Sequence, residues 1–72
     1  MQVTKTVRLA AGGGSIDEAI STALARASAT TTGITSFKIV EVGGAVDEAG
    51  VPCEYQVTLD ITFVVKETPL GH

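Results

Sequence analysis

The side chains able to do chemistry in this chain are few and scattered. There is one Cys, Cys53, and one His, His72, at the last position. A single thiol forms no internal disulfide and no Cys-based zinc site. No nucleophile has a neighbouring base, and no carboxylate pair comes with a pocket, so an enzyme is the weakest functional class. Gly12-Gly13-Gly14 stands before a helix start, where backbone N–H groups can cradle a phosphate. It has neither the P-loop Lys nor the dinucleotide-binding spacing, so a flexible strand-to-helix connection is the plainer reading. Asp17, Glu18, Asp47, Glu48, Glu54 and Asp60 offer the oxygens that a hard cation takes. No segment has EF-hand spacing, so one chain alone reads as bearing solvated acids; a symmetric assembly can supply the missing ligands by repetition. Cys53, after Pro52 at a strand start, reads as a plain small residue.

Charge and composition narrow the partners. Five Lys/Arg against eight Asp/Glu leave a formal charge of −3. Lys5, Arg8, Arg26, Lys38 and Lys66 are dispersed and form no stripe, and there is no Trp on which a base can stack. Both features argue against nucleic acid. No apolar run approaches the roughly 20 residues that cross a bilayer, and the N-terminus lacks the basic and apolar regions of a signal peptide. An unpaired thiol fits a reducing compartment. The expectation is a soluble, cytoplasmic protein with no membrane and no nucleic-acid partner.

The elements that must position these residues emerge from periodicity. Residues 2–10 alternate, with Val3, Lys5, Val7 and Leu9 on one parity, as in a half-buried strand. Ser15 can cap a helix, with Glu18 three residues on reaching back in a capping box. Ile16, Ala19, Ile20, Ala23, Leu24 and Ala27 then form one helical stripe, mostly of Ala. Thr30-Thr31-Thr32 is a poor helix former, and Gly33 suits the C′ position. This predicts a helix over 16–32. From Ile34 the period is two: Phe37 and Ile39 share one face, and Ser36, Lys38, Val40 and Val42 share the other. Gly43-Gly44 is a place for a bulge or bend. Asp47-Glu48-Ala49-Gly50 reads as a turn. A third strand over 53–66 puts Tyr55, Val57, Leu59, Ile61, Phe63 and Val65 on one face. The prediction is an α+β fold: a βαββ chain with a three-stranded antiparallel sheet, order 1-3-2, wrapped around one helix. It is one domain over 1–67, with 68–72 a disordered tail in which His72 is native or a remnant.

Size adds a requirement. A lone core in a chain of 72 residues rarely supplies more than about 3–5 kcal/mol without disulfides, metal or oligomerisation. A helix of this length runs about 25 Å, whereas the last strand can reach about 46 Å. The surplus apolar face must curl round the helix or meet another subunit.

The ordered blocks Ser15-Ile16-Asp17-Glu18-Ala19-Ile20, Ala23-Leu24-Ala25-Arg26-Ala27-Ser28, Phe37-Lys38-Ile39-Val40-Glu41 and Glu54-Tyr55-Gln56-Val57-Thr58-Leu59 resemble the dodecins. The resemblance runs from about Val7 to Lys66. It implies a non-catalytic, hollow homo-dodecamer that stores or sequesters a flavin such as FMN or riboflavin. In that family paired rings are sandwiched by a Trp from each partner at two-fold axes, and a Gln on the neighbouring strand bonds the ring edge. Here Ser36 stands where the Trp would be, and Gln56 keeps the Gln. A hairpin stretch similar to Arg-Gly-His in typical members reads Gly43-Gly44-Ala45. The resemblance therefore implies a weakened or altered small-ligand site at Ser36, Gln56 and Lys38. The alternative is a structural shell, or a calcium-binding one as described for some dodecin-like proteins without the Trp. Lys5, on the inward parity, is a candidate for an intersubunit ion pair.

Overall fold

A computed structural model describes residues 3–65. The chain runs β1 (Val3–Gly13), α1 (Ile16–Thr30), β2 (Ile34–Val46) and β3 (Pro52–Val65). The sheet has the order β1-β3-β2 and both pairings are antiparallel. The expected βαββ fold is therefore the observed one. The expected tail over 68–72, and the last residue expected of the third strand, Lys66, lie outside the described residues.

The helix starts where its cap places it. The Glu18 N–H donates to Ser15 Oγ at 3.1 Å. The Glu18 carboxylate reaches back one residue further than a capping box requires, accepting from Gly14 N–H at 2.9 Å. The helix ends at Thr30, two residues earlier than the expected 32, with Thr31 as an extended C-cap at φ −137°. Three successive β-branched Thr residues stop it, and Gly33 is not a C′ residue. Instead its carbonyl accepts from Val64 N–H at 3.0 Å, joining the end of the sheet.

The strands are longer than alternation alone indicates. β1 continues through Gly12 and Gly13, which pair with Gln56 and Tyr55, so those glycines belong to a strand and not to a flexible connection. β2 carries an extra residue at Thr35 and another at Val40. Each bulge reverses the inside–outside parity of the residues after it. Val42 consequently pairs with Val57 and shares the face of Phe37 and Ile39, correcting its expected place beside Ser36 and Lys38. Gly43 and Gly44 do not bulge; they stay in register with Gln56 and Tyr55. Gly44 is needed there because a Cβ would run into the Glu54 carbonyl oxygen.

The hairpin turn is built by one side chain. Asp47 Oδ1 accepts from Ala49 N–H at 2.9 Å and from Val51 N–H at 3.0 Å. Gly50 takes φ +79°, a conformation that a side chain opposes. Its N–H donates to the Asp47 carbonyl at 2.9 Å.

The core is thin. Ala19, Ala23 and Ala27 lie buried against Val57, Leu59 and Ile61, with Leu9, Ala11, Ile20, Leu24 and Ile34 packed around them. The small Ala stripe lets α1 sit close to β1 and β3. Fully burying each of the three large side chains contributes about 1.5–3 kcal/mol. The whole is elongated, 63 × 19 × 13 Å, with a radius of gyration of 16.0 Å. A compact domain of this length would have about 11 Å.

Candidate functional site

The helix covers one face of the sheet, here called inner. Directly paired residues share a face, so the register fixes what the outer face displays. Thr4 and Val64 lie opposite each other at one end of it. Thr6, Thr62 and Ser36 form the next row; Arg8, Asp60 and Lys38 the one after; then Ala10, Thr58 and Glu41; then Gly12, Gln56 and Gly43. Beyond it, Ala45 lies opposite Glu54.

All three expected site residues are thus on the outer face. Lys38 is one row from Ser36, about 7 Å along the strand. Gln56 is six residues of β3 away from the row of Ser36, about 20 Å. One protomer does not bring Ser36 and Gln56 together, and a site that uses both must take them from different subunits.

Gln56 stands in an open place. The residues beside it on both neighbouring strands are glycines, and a Cβ at Gly43 would meet nothing within 4 Å. The amide can donate and accept along its edge, and a flat group has room above the neighbouring peptides. No aromatic ring shares that face among the described residues: Phe37 pairs with Ile61, Phe63 with Ile34 and Tyr55 with Gly44, all on the inner side. The donor and acceptor edge and the space fit a planar ring such as a flavin. The two-sided aromatic sandwich is not supplied.

Two rows from Gln56, and adjacent to the row of Ser36, lies a charged row that alternation does not reveal. Arg8 Nε donates to Asp60 Oδ1 at 2.8 Å and Arg8 Nη2 to Oδ2 at 3.1 Å, a two-pronged pair. Lys38 flanks Asp60 from β2. The Arg8 hydrogen bond, with help from the positive charges of Arg8 and Lys38, holds the Asp60 carboxyl below the usual carboxylate range despite some desolvation. The same bond raises Arg8. Thr6 and Thr62 hydroxyls meet at 3.2 Å beside Ser36. The signal for these contacts is the pairing register of β1 against β3, which alternation within one strand does not contain.

The other candidates are placed plainly. At the helix start Gly14 N–H and Glu18 N–H are already bonded to Glu18 and Ser15 side chains. A carboxylate sits where a phosphate would go, so the glycine run is no phosphate cradle. Among the described residues no three of His, Cys, Asp and Glu converge to hold a metal; Asp47 is spent on its turn. Cys53 is exposed and unpaired, the extra residue of β3 opposite Ala45–Val46. Lys5 faces inward beside Phe63 at the sheet edge. No helix among the described residues is long and apolar enough to cross a membrane.

The fold and this face can be set beside known proteins. The Dodecin family model matches residues 3–66. A dodecin of Thermus thermophilus is 43% identical over 53 residues, 74% of this chain and 75% of that one. A crystal structure from Thermus thermophilus superposes with a TM-score of 0.84 at 39% identity, covering 94% of this chain and all of the other. The dodecin of Streptomyces davaonensis gives 0.82 at 27% identity, over 92% and 97% of the two chains. With the same strand order, the same single helix and a match over almost every described residue, the chain belongs to the dodecin family.

Proposed function

We propose that this chain builds a non-catalytic homo-oligomeric shell, a dodecamer as in the family, which takes up a small planar ligand of flavin type on its outer sheet face. The observation that supports the ligand is Gln56 between Gly12 and Gly43, a hydrogen-bonding edge with bare backbone on both sides. Ser36 and Lys38 reach the ligand from a neighbouring subunit. Binding is weak, because Ser36 adds no ring and each aromatic contact is worth about 0.5–1.5 kcal/mol beyond its area. The assembly stores or sequesters its ligand in the cytoplasm and does no chemistry on it.

The test is titration of riboflavin and FMN with the assembled protein. Quenching of flavin fluorescence that Gln56→Ala abolishes is the expected result. No quenching by an intact assembly, even at tens of micromolar, contradicts the ligand and leaves the shell. A structural or calcium-binding shell is the second reading, favoured by the ring-free outer face. In that case calcium raises the melting temperature and a chelator lowers it; indifference to both removes the ion.

A further inference from the structure

The outer face is split by charge. Near Ser36 it carries Arg8, Asp60 and Lys38. Arg8 takes both oxygens of Asp60, so that pair is neutral as a unit. It is the one salt bridge among the described residues. Lys38 is exposed and leaves one unneutralised positive charge at this end. Near Gln56 the sign reverses. Glu41 stands one row away on β2 and Glu54 two residues away on β3, both exposed. No cation shares their rows, which otherwise hold Ala, Thr, Gly and Gln56. An anionic group is repelled from the Gln56 end and drawn to the Lys38 end.

The hydrogen-bonding groups divide in the same way. Thr62 is the diagonal neighbour of Lys38, within reach of a long side chain. Its hydroxyl and that of Thr6 meet at 3.2 Å, which uses one of their two hydrogens and leaves the other to donate. Lys38 itself has three N–H donors. Surplus donors around a single positive charge suit the oxygens of a phosphate monoester. Lys38 is about 7 Å along the strand from Ser36. A ligand whose ring lies over Ser36 covers that distance with a ribityl tail.

We infer that Lys38, with the Thr6–Thr62 hydroxyl pair, is a subsite for a phosphate monoester carried by the planar ligand. This rests on the flavin-type reading above and narrows it to phosphorylated flavins. The ring edge stays with Gln56, and the phosphate points away from Glu41 and Glu54. Net charge alone predicts the opposite preference, since −3 on each chain disfavours an anion.

The experiment compares riboflavin with FMN, the same ring without and with the phosphate. Dissociation constants are read by fluorescence quenching at low salt, for the native assembly and for Lys38→Gln. FMN should bind the native protein about three- to tenfold more tightly than riboflavin. Lys38→Gln should remove that advantage and leave riboflavin unchanged. Equal native affinities, or a variant that weakens both flavins alike, overturn the inference and leave the ligand reading standing. No quenching of either flavin overturns both. If Lys38→Gln does not assemble, salt decides on the native protein. The FMN advantage should shrink towards one between about 20 mM and about 500 mM salt; an advantage indifferent to salt overturns the inference.

Discussion

In the proposed ligand site, Ser36 is the residue whose replacement should change affinity most. If the outer face is otherwise intact, Ser36→Trp should restore stacking from both partners of a site. Two rings at about 0.5–1.5 kcal/mol each amount to a gain of roughly tenfold or more in flavin affinity, read by fluorescence quenching. An intact shell that still ignores flavin would mean that Gln56 and its glycine neighbours do not form the site. Asp60 gives a pH prediction. Its folded pKa is lowered by Arg8 and Lys38, so the pair stabilises the fold above the ordinary aspartate range. That contribution is lost as pH falls through the depressed folded value. Asp60→Asn should lower the melting temperature slightly at neutral pH and leave it nearly unchanged at pH below the folded value, so that the acid limb of the profile flattens. The effect is small, because Arg8 is 63% exposed and Asp60 27%, and solvent screens such pairs. Alternation shows that Arg8 and Asp60 face the same way on their strands. It does not show that they are opposite each other, which only the register settles.

At the scale of elements, the strands carry most of the information and the bulges most of the surprise. The order β1-β3-β2, the capped start of α1 at Ile16 and the inward row of β3 are all legible in the periodicity of the sequence. The place of Val42 is not. Thr35 and Val40 look like ordinary strand residues, and the extra residue is visible only when β2 is laid against β3. The end of the helix is equally hidden, since a helix tolerates or rejects three Thr residues according to what the next strand demands of them. Gly43 and Gly44 separate two roles that a bare Gly-Gly pair conceals. Gly44→Ala forces a Cβ onto the Glu54 carbonyl and should cost about 1–3 kcal/mol. Gly43→Ala meets nothing within 4 Å and should leave denaturant stability nearly unchanged. Equal losses from the two substitutions would refute the register of the hairpin. On the ligand side the order reverses: Gly43→Ala narrows the space beside Gln56 and should weaken any planar ligand.

As a whole molecule, the protomer is long, thinly cored and uncovered along β2, and these features have one cause. A 15-residue helix is too short for strands of 13 and 14 residues, so the chain cannot bury its own apolar face. In the closed shell proposed above, neighbouring copies would provide that cover. With −3 on every chain, such a particle carries a charge that keeps it from associating further. The most direct test of the closed shell is the mass of the native particle by multi-angle light scattering. The expected value is about twelve times the 7.4 kDa chain, as a closed symmetric assembly requires. A stable monomer or dimer across the working concentration range would contradict it.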